Sequence, residues 1–151
     1  SSGYPCRALR TDEYLLIRNF YPEKWPAGTG DYQNAFLGEM WYGDCDNGPT
    51  KYYMIKNKDK DVHHKHLYDL SFAKRPEYEL YDMIKDPWQM KNLAYNPEYA
   101  AVFEKLSEQL NEELKATKDP RITGGGEKFD QYPYTGWGPQ YEQYENFYKS
   151  K

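Results

Sequence analysis

Between Arg75 and Ala94 the chain reads RPEYELYDMIKDPWQMKNLA. A short apolar-aromatic strand, a tight turn and a helix entry follow one another. The stretch holds no obvious nucleophile, no metal-ligand cluster and no glycine-rich phosphate loop. A strand of this length is not stable alone; it needs sheet neighbours and a covering element. Both are readable in the rest of the chain. Cys6–Arg10 and Tyr14–Phe20 read as two strands joined by the short loop Thr11-Asp12-Glu13. In the first, Cys6, Ala8 and Arg10 share one face, and Arg7 and Leu9 the other. The second is nearly continuously apolar at Leu15-Leu16-Ile17, the pattern of a strand covered on both faces. The cover is a helix expected over Pro97–Thr117. Asn96 is its N-cap, Pro97 its first residue, and Phe103, Leu106, Leu110 and Leu114 form its apolar stripe. The expected class is therefore α+β.

Two further helices are expected. PTKYYMIKN starts with Pro49, with Asp46 or Asn47 as caps, and KDKDVHHKHLYDLSFAKRP is amphipathic and ends at Pro76. Residues 21–49 are punctuated by Pro, Gly and Asp and anchored by Trp25, Tyr32, Phe36, Trp41 and Tyr42. Irregular segments of that length usually belong to an interface or a site. The expected division is residues 1–119 as an α+β subdomain and 120–151 as an extended Gly- and Tyr-rich tail laid over a surface.

Composition narrows the function classes. The 17 Tyr, 4 Trp and 6 Phe make 18% of the 151 residues aromatic, which argues against disorder over most of the chain. The net charge of −4 and the lack of a basic stripe speak against nucleic acid as a partner. No apolar run approaches the ~20 residues of a membrane span, and the first ten residues carry no signal-peptide core. Two cysteines, Cys6 and Cys45, do not decide the redox compartment.

Each chemical candidate has a plain structural alternative. His63 and His66 have the i, i+3 spacing of metal ligands, but no matching set of further ligands accompanies them. Asp44, Asp46, Asp59 and Asp61 lie in loops without the ligand alternation of a calcium loop. TGGGEK lacks the Gly-Lys-Ser/Thr ending of a P-loop and reads as a hinge. Arg7, Arg10 and Arg18 suit an anionic substrate or ion pairs with nearby carboxylates. No self-contained catalytic set emerges.

The stretch from Arg75 to Ala94 resembles the C-terminal part of type I sulfatases. The resemblance is carried by Glu79-Leu80-Tyr81-Asp82, Asp86-Pro87 and Asn92-Leu93-Ala94, with a helix after them. YPCRALRTDEYLLIRNF resembles the family's hairpin, and GDCDNGPTK and DPRITGGGEKFDQYPYTG are similar to the sulfamidase-like (heparan N-sulfatase-like) branch. The likeness spans most of residues 4–136. It implies a four-stranded antiparallel sheet with a long C-terminal helix on one face. It also implies a separate N-terminal catalytic domain holding the formylglycine, the calcium and the catalytic side chains, so that this chain has no catalytic residue or metal of its own and is inactive alone. Cys6-x-x-x-Arg10 departs from the nucleophile pattern, because Ala8 stands where the family has Pro; a buried strand cysteine is the expectation.

By the same resemblance Tyr4, Pro5 and Arg7 enter beside the substrate pocket, with Tyr4 and Arg7 as substrate-binding candidates. The implied substrate is a sulfate ester or sulfamate of a carbohydrate. The implied location is periplasmic, secreted or lysosome-like, with a homodimer as a further expectation. A stand-alone glycan-binding or oligomerisation module is the alternative.

Overall fold

The computed structural model describes residues 3–30, 42–46 and 48–131. They belong to two compact units. One comprises residues 3–22 and 75–131, the other residues 23–30, 42–46 and 48–74.

The first unit is built on three antiparallel strands in the order β1 (Cys6–Arg10), β2 (Tyr14–Asn19), β3 (Tyr78–Asp82). Thr11 closes the first hairpin: its hydroxyl accepts the Tyr14 N–H, and its own N–H donates to the Tyr14 carbonyl, both at 2.9 Å. That loop sets the register in which Leu9 faces Leu16 and Arg7 faces Arg18. β2 then pairs with β3, placing Leu16 opposite Leu80. Both leucines are fully buried. They share a core with Leu93, Ala94, Leu106, Leu110 and Leu114, flanked by Leu9, Tyr14, Tyr78 and Phe103. Burial of a leucine contributes roughly 1.5–3 kcal/mol, so this cluster dominates the unit's stability.

The sheet has three strands among the described residues, not the four expected, and the outer edge of β3 is closed by a side chain. Asn92 lies alongside it and imitates a strand. Its Oδ1 accepts the Leu80 N–H at 2.9 Å, and its Nδ2 donates to the Tyr78 carbonyl at 3.0 Å. The Leu93 N–H then donates to the Leu80 carbonyl at 2.8 Å. The outward hydrogen-bonding groups that a fourth strand would use at Tyr78 and Leu80 are thereby taken. A sheet edge closed in this way no longer templates pairing with another strand.

Beyond that edge, Asn96 accepts the Glu98 N–H and caps a 3-10 turn, Pro97–Tyr99. The α-helix proper, Ala100–Ala116, starts three residues later than its expected first residue, Pro97. Its Leu106, Leu110 and Leu114 are the buried stripe. A four-residue helix, Pro120–Thr123, and a 3-10 turn, Gly126–Gln131, follow. The 17-residue helix is therefore not the C-terminal element expected, and the described beginning of the 120–151 segment is helical rather than extended.

The second unit carries α1 (Pro49–Asn57) and α2 (Val62–Phe72); the long helix of the first unit is α3 and Pro120–Thr123 is α4. Gly48, not Asp46, is the residue at the start of α1, and Asn47 lies outside the described residues. Asp61 caps α2. Val62, the first residue of α2, is 87% exposed. Tyr42, Tyr68 and Phe72 pack edge to face or tilted within 6.3 Å of one another, and the Tyr42 and Tyr68 hydroxyls are 2.7 Å apart. Lys51 is buried, and its ammonium donates to the carbonyls of Tyr42 and Cys45, each at 2.6 Å. The expected anchors Tyr32, Phe36 and Trp41 lie outside the described residues.

Candidate functional site

Tyr4 and Arg7 lie at the entry to β1, where alternation turns Arg7 to the same face as Leu9. The Arg7 guanidinium is already engaged: Nε donates to Asp119 Oδ2 at 2.6 Å, and a terminal nitrogen donates to the Cys6 carbonyl at 2.8 Å. Asp119 is placed by the end of α3 and caps α4 through the Arg121 N–H. Burial works to raise the Asp119 pKa, but the hydrogen bonds from Arg7 and the Arg121 N–H hold it below the usual carboxylate range. Tyr4 is half-buried.

The neighbouring arginines are engaged as well. Arg18 donates to Asn111 at 3.1 Å, lies 3.9 Å from Glu77, and rests over the rings of Phe20 and Tyr78. Arg121 grips Asp130 with both terminal nitrogens, at 2.7 and 3.1 Å, and donates to the Tyr21 hydroxyl at 2.9 Å. This bidentate pair holds the turn that follows Gly124 and Gly125, whose φ angles of 101° and 90° favour glycine. TGGGEK is thus a bend beside a fastening, not a phosphate cradle. Arg10 is exposed on the opposite face of β1.

Cys6 is exposed on β1, so the expectation of a buried cysteine fails; Cys6 and Cys45 are both free thiols. The cause is the alternation of an edge strand, which turns Cys6, Ala8 and Arg10 outward. No group of three or more His, Cys, Asp or Glu side chains among the described residues could hold a metal ion. His64 is bonded to Asp61 and Tyr53, a grouping of three residues that spacing alone did not bring together. The signal available was Asp61 three residues before His64 at a helix start. No described helix is long and apolar enough to cross a membrane.

One open groove, about 510 Å³, runs along α3 between Tyr95, Phe103, Glu104, Ser107, Glu108 and Asn111. Its two carboxylates disfavour an anionic ligand there.

The relatives of this chain decide its kinship. It is 27% identical over 121 residues to the N-sulphoglucosamine sulphohydrolase of Homo sapiens, covering 80% of this chain and 22% of that protein. It is 29% and 30% identical over 113 and 119 residues to two ulvan-active sulfatases of Formosa agariphila, covering 75% and 79% of this chain. The chain is similar to part of each of these sulfatases. No protein-family model matches it. It spans only about a fifth of the length of these curated relatives, between 17% and 22%. The sulfatase resemblance read from the sequence is thereby shown. With it, Glu79-Leu80-Tyr81-Asp82 gains a structural meaning as strand β3, and Asn92-Leu93-Ala94 as the segment that closes its edge.

Proposed function

We propose that this chain is the C-terminal subdomain of a sulfatase that hydrolyses sulfate esters or sulfamates of carbohydrates. The observation that carries the reading is the coverage: three sulfatases match about four-fifths of this chain but about a fifth of their own length. In this reading the chemistry lies in an N-terminal catalytic domain, which supplies formylglycine as nucleophile and calcium as the cation that binds the sulfate. The role of the chain is to complete the fold. The arginines Arg7, Arg18 and Arg121, each committed to a carboxylate or amide of the chain itself, support a structural role. A periplasmic, secreted or lysosome-like location and a homodimer belong to the same proposal.

Tyr4 and Arg7 are proposed to line one wall of the pocket. Arg7→Gln in the longer sulfatase tests this by ion chromatography of released sulfate. A raised KM with unchanged thermal stability supports a place in the pocket wall. A lowered Tm with unchanged KM reduces Arg7 to a partner of Asp119. Absence of sulfate release from any sulfated carbohydrate by that longer protein would overturn the reading as a whole.

One observation favours a second reading, a glycan-binding module. Trp88 is 82% exposed on a loop pinned by hydrogen bonds from the Ile84 and Lys85 N–H groups to Asp82 and from the Lys91 N–H to Asp86. An open indole on a fixed loop suits stacking on a sugar ring. Calorimetric heat that disappears in Trp88→Ala would support it.

A further inference from the structure

In the second unit, Asp61, His64 and Tyr53 form a relay between α1 and α2. Asp61 is the N-cap of α2, and its Oδ1 accepts the His64 backbone N–H at 2.8 Å. The same oxygen lies 2.7 Å from His64 Nδ1, and His64 Nε2 lies 2.9 Å from the Tyr53 hydroxyl. The backbone N–H of His64, and then its ring, hold the Asp61 carboxyl below its usual range. An ionised carboxylate only accepts, so Nδ1 carries a proton, and in the neutral imidazole Nε2 is left with its lone pair. In that tautomer Tyr53 donates its hydroxyl proton to Nε2.

The order carboxylate, imidazole, hydroxyl is the arrangement that activates a nucleophile. Exposure divides the roles. The His64 side chain is 13% exposed, whereas Tyr53 is 53% exposed. The base is sheltered and the oxygen that would attack is open to a reagent. The His63 ring stands edge-on to His64 at 5.9 Å and further encloses the base.

We propose that Tyr53 is a base-assisted nucleophile and a site of covalent modification by sulfonyl electrophiles. In the reaction with a sulfonyl fluoride, the Tyr53 oxygen forms a bond to sulfur and the S–F bond breaks with loss of fluoride. The phenolic proton passes to His64 Nε2 and from there to water, leaving a sulfonate ester on Tyr53. Asp61 keeps the imidazole in the accepting tautomer and stabilises the imidazolium as it forms.

The test treats the 151-residue chain with phenylmethanesulfonyl fluoride and follows modified peptides by mass spectrometry. Tyr95 is the internal reference: it is 66% exposed, and its hydroxyl accepts the Tyr78 N–H at 3.4 Å rather than meeting an imidazole. Tyr53 is expected to be labelled ahead of Tyr95. His64→Gln is expected to slow labelling at Tyr53 by roughly a hundredfold, the scale of general-base assistance, and to leave Tyr95 unchanged. Asp61→Asn, which keeps a capping acceptor, should slow Tyr53 by a smaller factor. Equal labelling of the two tyrosines overturns the proposal, as does an unchanged Tyr53 rate in His64→Gln with its helix content intact by circular dichroism. Should His64→Gln lose helix, Asp61→Asn decides: an unchanged rate at Tyr53 rejects the relay.

Discussion

The two units are held together by different means. The first has an aliphatic centre: Leu16, Leu80, Leu93, Leu106, Leu110 and Leu114 meet with no polar atom in their side chains. The second has Tyr42, Phe72, Thr29 and Lys51 as buried side chains among its described residues, with ring contacts, a hydroxyl pair and an ammonium held by carbonyls. Aliphatic packing is non-directional and tolerates small shifts. A buried ammonium or hydroxyl stabilises only with its partners in place, and costs stability without them. The first unit should therefore fail through cavities, the second through lost partners.

The largest effect is expected where the aliphatic centre is emptied. Leu80→Ala should cost about 2–5 kcal/mol in urea unfolding; a near-wild-type midpoint would remove Leu80 from the core. Next comes the edge of β3. Asn92→Ala strands the Leu80 N–H and the Tyr78 carbonyl, and should cost roughly 1–3 kcal/mol. Asn92→Asp keeps the acceptor but turns a carboxylate oxygen toward that carbonyl, so it should not restore stability. In the second unit, Lys51→Met removes the ammonium that donates to the Tyr42 and Cys45 carbonyls and should also destabilise, by about 1–2 kcal/mol. Stability equal to wild type would show that the ammonium is dispensable to the loop it holds.

Acid acts on depressed carboxyls in both units, Asp61 being the one among the described residues of the second. Backbone N–H donation from Lys85, with the Lys85 ammonium close by, holds the Asp82 carboxyl below its usual range, and Asp119 is likewise held low by its donors. A depressed carboxyl stabilises the fold above its unfolded value of about 3.9, and that stability is lost as pH falls through the folded values. Thermal melts below about pH 4 should therefore weaken the first unit, and less so in Asp119→Asn. The smallest effect is expected at Trp88, where replacement by Ala should change stability by no more than about 0.5 kcal/mol.

The same contrast explains what the sequence made legible. The stripe Leu106, Leu110, Leu114 and the alternation at Cys6–Arg10 announce themselves by period, and the structure has them as read. Closure of the β3 edge by Asn92 has no period, because one side chain replaces a strand; the expectation of a fourth strand met that substitution. The burial of Lys51 has no mark in the sequence, since nothing in its neighbourhood points to the two carbonyls it meets. Arg7 was open between substrate and ion pair, and its contact with Asp119 is 112 positions away in sequence, beyond any local pattern. The relay at Tyr53 crosses two helices and was visible only as separate His and Asp residues.

The central claim is that this chain contributes architecture to a sulfatase and leaves the chemistry to another domain. Sulfate release by the purified chain tests it most directly, with a cooperative melt to show that the chain is folded and N-sulfated and O-sulfated oligosaccharides as substrates. The account predicts a folded chain and no sulfate above the uncatalysed background. Turnover by the chain alone would contradict it.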